Sequence, residues 1–205
     1  MKWLNIRPTD VIVIAGKRGG GKTTLAKILL AQSIPYKRLV VFDVMKQYAG
    51  MGLVCKNSTD LRLAMQYREP RIIFQPVNVS IDASELMFLL AYTYRDYFLV
   101  IEEADRIAYT HFIGKNHSQI LDLGRHHGNG LMELSRKVNR LHSLPSSQAT
   151  HFFIFKTFLP ADIKYLEDFL PPTLAESIKG LSLHECAYYN SETEETRLFM
   201  VEKGK

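Results

Sequence analysis

Apolar and polar positions along the chain alternate in two periods. Short runs rich in β-branched and aromatic residues predict buried strands at Val11–Ala15, Leu39–Asp43, Arg71–Pro76, Tyr97–Ile101, Leu131–Ser135 and His151–Phe155. Longer amphipathic stretches lie between them and predict helices. These are Thr23–Ser33, Ser58–Tyr67 (stopping before Pro70), a segment running to Tyr94, Gln119–His127, and one opened by Leu159-Pro160 that runs to about Leu170 and stops at Pro171-Pro172. Asp82, with Glu85 three residues on, predicts a capping box at the start of the third helix. Strands alternating with helices predict an α/β fold, with a mostly parallel central sheet and helices on both faces. The tail breaks this rhythm. Leu183–Tyr189 and Thr196–Glu202 flank a polar turn and predict a C-terminal β-hairpin on the sheet edge. No Gly- or Ser-rich linker divides the chain. One domain over 1–205 is expected, with a core at about 8–170 and a helix-and-hairpin appendage at about 171–205.

Composition narrows this picture only a little. The 205 residues are 46% hydrophobic and 23% charged, which excludes disordered and fibrous classes. A formal charge of +5 with neutral histidine leans toward an anionic partner. The opening MKWLNIRPTD has no apolar signal core. Leu86–Tyr94, the longest charge-free apolar stretch worth testing, is far short of the ~20 residues that span a bilayer. No membrane span and a cytosolic location are therefore expected. Cys55 and Cys186 lie far apart, so buried or free thiols in a reducing compartment are expected. The seven histidines show no HxxxH or HExxH spacing, and the adjacent His126 and His127 are poor joint metal ligands.

The chemistry concentrates after the first strand. Gly16-Lys17-Arg18-Gly19-Gly20-Gly21-Lys22-Thr23 satisfies G-x-x-x-x-G-K-[ST] and lies between an apolar strand and an amphipathic helix. Glycines let consecutive N–H groups face a phosphate, and the helix beginning near Lys22 aims its positive end at the same anion. Lys22 reaches the β and γ phosphates of a nucleotide, Thr23 offers a hard oxygen to Mg²⁺, and Thr24 sits near the α-phosphate. A second signal closes the fourth long strand, where YFLVI runs into Glu102-Glu103-Ala104-Asp105. An apolar strand ending in two acids is the Walker B pattern. Glu102 is expected to hold the metal shell and Glu103 to orient the attacking water. Glu102 is one methylene longer than the usual Asp, so its metal contact runs through a water or the two roles slide by one residue. Asp105 is expected to cap or to pair with Arg106. Asp43, at the end of a strand, fits either a metal-side role or a loop cap.

GKRGGGKTT, VVFDVMKQY, FLVIEEADR, LGRHHGNGLMELSRKVNRL and FFIFKTFLPADIKYL follow one another in the order found in the FtsK–HerA superfamily. Over about Val11 to Leu170 the chain most resembles the genome-packaging ATPases of tailless icosahedral membrane-containing viruses. The resemblance implies a RecA-like P-loop NTPase that hydrolyses ATP with Mg²⁺. It also implies a homo-oligomeric ring (hexamer or pentamer) that moves double-stranded DNA in the host cytoplasm and at a capsid vertex, docked on the vertex or on a virion membrane protein. It places an arginine finger on Arg125 or Arg136. Where the family often carries a Gln sensor, this sequence reads Ser135-Arg136-Lys137, so Arg136 is the candidate replacement. The basic stretch Arg125–His142 and the loop Tyr109–His117 are candidates to touch DNA; the alternatives are the nucleotide site or a subunit interface for the stretch, and a mobile surface segment with a buried Phe112 for the loop. Three other activities stand beside the motor. They are a small-molecule or nucleotide kinase, a filamentous-phage-type assembly or export ATPase, and a nucleotide-gated scaffold.

Overall fold

A computed structural model describes residues 3–202. In chain order its elements are β1 (Val11–Ala15), α1 (Lys22–Gln32), β2 (Arg38–Phe42), β3 (Leu53–Cys55), α2 (Ser58–Gln66), β4 (Arg71–Phe74), α3 (Ile81–Tyr94), β5 (Tyr97–Ile101), α4 (Lys115–Leu123), β6 (Gly130–Ser135), α5 (Ser143–Gln148), β7 (His151–Phe155), α6 (Pro160–Glu167), α7 (Pro172–Ser177), β8 (Glu185–Asn190) and β9 (Thr196–Met200). The strands form one sheet in the order β3-β4-β2-β5-β6-β1-β7-β8-β9. Pairings from β3 through β7 are parallel, and the β8–β9 hairpin adds antiparallel to β7. The α/β architecture and the edge hairpin match the expectation.

Alternation along each strand supplies both faces. On β1, Val13 and Ala15 face one core and Ile12 and Ile14 the other. Leu25, Ala26, Leu29 and Leu30 of α1 cover the second face. Apolar residues of α2, α3, α4, α6 and α7 cover the first. Both cysteines are free and buried, and burial pushes the Cys55 thiol up to about 11, far from a reactive thiolate. No helix of the described residues is long and apolar enough to cross a membrane.

Two expectations need correction, and they share a cause. Helix α3 is capped by Ser80, whose Oγ accepts from Ala83 N at 3.2 Å, so Asp82 and Glu85 form no capping box. Glu85 instead reaches across to α4, where it accepts from Asn116 N (2.7 Å) and His117 N (3.0 Å). That distant cap starts α4 at Lys115 rather than at Gln119, and Gly124–His127 continues as a 3₁₀ turn. His117 therefore leaves the candidate DNA loop. It is buried, bonded to Glu133 Oε1 at 2.5 Å and stacked on Phe88. In the remaining loop Phe112 is half-buried against Tyr109, their ring centres 5.5 Å apart.

Candidate nucleotide site

The glycine-rich segment turns back over the end of β1. Gly16, at φ 138°, donates its N–H to Ser135 O at 3.2 Å, and a Cβ there would lie 2.7 Å from Phe155 Cβ. Gly21, at φ 111°, is the N-cap of α1. Both places exclude a side chain. The first turn of α1 carries no acid, so its positive end is unneutralised where it meets the loop. Lys22 Nζ arches over the loop and donates to Gly16 O (2.7 Å) and Lys17 O (3.0 Å). Burial, then the neighbouring Arg136 charge, lowers its pKa to about 8. Thr24 is half-buried in the first turn of α1, while Lys17, Arg18 and Gly19 are exposed and Gly20 is buried.

Across the cleft, Glu102 is 3% exposed and its Oε1 accepts from Thr23 Oγ1 at 3.0 Å. Glu102 Oε2 is buried with no partner among the described residues, as is the Tyr48 hydroxyl. Burial raises the Glu102 pKa to about 7, with Asp43 and Glu103 adding to the rise. Hard oxygens with an unmet acceptor fit a divalent cation. The linkage has a definite sign. An unfolded Glu ionises near 4.5 and the folded one near 7, so the folded chain holds the extra proton between them and stability falls as pH rises across that window. In a chelating buffer, Glu102→Gln is expected to raise Tm at pH 8 by about 4 °C or more and to change it little at pH 4.5. An equal gain at both pH values would remove the buried carboxylate as its source.

Glu103 follows in the left-handed region, at φ 55° and ψ 48°, a backbone that costs about 1–3 kcal/mol away from glycine. Two guanidinium groups hold its Oε2: Arg136 at 2.6 Å and Arg106 at 2.9 Å. This corrects the Asp105–Arg106 expectation. The 3₁₀ turn Ala104–Arg106 carries Arg106 back over Glu103, and Asp105 Oδ1 is left buried without a partner among the described residues. Arg136 arrives because β6 lies between β1 and β5, so its end emerges between the glycine loop and the acids. It belongs to the cleft of its own chain.

Arg125 does not. It sits on the 3₁₀ turn before β6 and lines a cleft with Arg7, Asp10, Thr150 and Glu192 at the N-terminal ends of the strands, roughly 15 Å of strand away. Asp43 resolves as a cap. Its carboxylate accepts from Gln47 N (2.8 Å), Tyr48 N (2.9 Å) and Gln75 Nε2 (2.7 Å), which fixes the loop that walls the site. Lys27 Nζ, donating to Gln47 O at 2.6 Å, ties that loop to α1.

The resulting cleft holds about 370 Å³ and includes four residues that sequence reasoning missed: Met45, Gln47, Leu134 and His184. His184 precedes β8, and its Nδ1 lies 3.3 Å from Gly20 O. Only the β7–β8 pairing brings it there, and no local motif marks it.

A glycine-rich loop on a central strand, paired acids two strands away and an intervening strand carrying a cation define a RecA-like P-loop NTPase fold. Solved structures share it. The genome packaging NTPase of Sulfolobus turreted icosahedral virus 2, in complex with sulfate, matches with TM-score 0.78 at 19% identity, over 94% of this chain and 96% of that one. The DNA-packaging ATPase of Sulfolobus turreted icosahedral virus matches with TM-score 0.73 at 19% identity, over 94% and 98%. The N-terminal domain of zonular occludens toxin from Neisseria meningitidis matches with TM-score 0.56 at 10% identity, over 95% of each chain. At these identities the likeness is one of fold. No family model matches the chain, and no curated protein matches it in sequence.

Proposed function

We propose that the chain is an ATP-hydrolysing motor that moves double-stranded DNA into a preformed viral capsid. The observation that carries this reading is the meeting of Lys22, the Thr23–Glu102 pair and an arginine-held Glu103 in one cleft. The loop N–H groups and Lys22 bind the phosphates. Thr23 and Glu102 are the residues to hold Mg²⁺, and their unmet acceptor fits it; when bound, the ion neutralises phosphate charge. Glu103 orients the water that attacks the terminal phosphate. Arg136 stands in the place of a Gln sensor in its own subunit's cleft, where it holds Glu103. Arg125 is too far from its own cleft, so it serves a nucleotide only across the contact between copies in a pentameric or hexameric ring. The sites of action are the host cytoplasm and the packaging vertex, with a capsid or virion membrane protein as the dock. The paired acids favour water over a bound acceptor, which sets the motor ahead of a kinase.

Hydrolysis by the purified protein, measured with and without long double-stranded DNA, tests the reading. A rate that rises with DNA and falls back as salt strips the protein from the phosphates is expected. Hydrolysis indifferent to DNA would leave the kinase, and no hydrolysis at all would leave the scaffold.

A further inference from the structure

Arg18 and Arg136 line a second cavity as well, of about 510 Å³, at the same end of the sheet. Lys17, Lys137 and Arg140 complete its basic wall, and Phe158 (64% exposed) and Leu159 (42%) form an apolar lip. These residues come from the loops after β1, β6 and β7, which only the sheet order brings together. Among the described residues, the side chains of Lys17, Arg18, Lys137 and Arg140 make no ion pair, whereas Arg7, Arg38, Arg106 and Arg197 all do. Two acids face the cavity. Asp162 is buried and already accepts from Thr157 Oγ1 (2.7 Å) and Asn139 N (3.2 Å). Asp105 is the second, and the five cations outnumber the pair.

We propose that this cavity takes a backbone phosphate of double-stranded DNA, and that the phosphate competes with Glu103 for Arg136. The proposal rests on the motor reading and adds its regulation. Several unpaired cations on an open rim suit a polyanion gripped through its phosphates, without readout of base edges. Guanidinium binds phosphate and carboxylate with the same two-pronged geometry, so one Arg136 serves either partner. With no DNA, Arg136 and Arg106 together pin Glu103. A phosphate in the cavity draws Arg136 toward itself and leaves Glu103 with Arg106, free to swing to a water. Hydrolysis then waits for DNA.

The test uses the full chain, a short fluorescent DNA duplex of mixed sequence and a non-hydrolysable ATP analogue. Replacing both Lys137→Ala and Arg140→Ala, two exposed residues outside the hydrolytic site, is expected to weaken duplex binding about 10-fold and to lower the salt slope by about 2. Basal hydrolysis stays within about 2-fold of the parent. Arg136→Gln is expected to lower the duplex salt slope by about 1, as the loss of one phosphate contact, and to lose the rise in hydrolysis with DNA, whatever its absolute rate. Unchanged duplex affinity in the double variant overturns the proposal, as does a DNA response in Arg136→Gln equal to that of the parent. A double variant that changes only the oligomeric state in sedimentation also overturns it, making the cavity a contact between copies. A parent protein that hydrolyses ATP without any DNA response fails earlier, at the motor reading itself.

Discussion

Lys22→Ala is expected to lower ATP hydrolysis by at least about 10²–10³-fold, the scale of losing one preorganised charge from a phosphoryl-transfer site. The fold should hardly notice. Lys22 is poorly solvated, and its pKa of about 8 says that its charge is costly where it sits without an anion. Its two hydrogen bonds go to loop carbonyls, which water can satisfy after truncation. A drop in activity with an unchanged Tm is thus the expected signature. A bound phosphate raises the Lys22 pKa again, so nucleotide binding takes up a proton at pH 8 and above. Parent affinity should weaken as pH climbs past about 8, and the variant should lack that slope. Isothermal titration of an ATP analogue in buffers of different ionisation heat measures both.

Glu103→Gln separates binding from chemistry. Hydrolysis is expected to fall about 10²–10⁴-fold, the range for a positioned general base, while affinity for ATP stays within a few-fold. The amide keeps the length of the side chain and an oxygen for Arg136 and Arg106, so the strained turn at φ 55° should survive. If Glu103→Gln hydrolyses normally and Glu102→Gln does not, the two acids have exchanged roles. Geometry argues for the first assignment. Glu102 is bonded to Thr23 and turned inward, whereas Glu103 sits among cations that reach the cleft.

The core strands and the glycine loop were legible because each is a local pattern. Buried parallel strands need unbroken apolar runs, and a phosphate loop needs glycines at fixed offsets. The elements that escaped have weak local signals. β3 is three residues with Leu53 exposed and α5 contains Pro145, while α7, the helix expected in the 171–205 appendage, could not be bounded because it starts on a proline that looked like a terminator. Local reasoning failed most clearly at Glu85, whose partners lie on another helix. It also could not see the grip of Arg136 on Glu103, His184 under Gly20 O, or the convergence of Lys17, Arg140 and Phe158, because each depends on which strands become neighbours.

The position of β1 bears on how the protein comes to be competent at all. The strand that leads into the glycine loop finds both of its neighbours late in the chain: Val11 pairs with Leu131, and Ile12 with His151. The anchor of the loop, Gly16 N to Ser135 O, is equally remote in sequence. Such pairings close long loops before they return any contact energy, and they are slow to form. A growing chain therefore carries its glycine motif long before that motif can hold anything. On the motor reading, ATP can be held only once β6 and β7 have flanked β1, so nucleotide capture reports that the centre of the sheet has assembled, ahead of the β8–β9 hairpin at its edge.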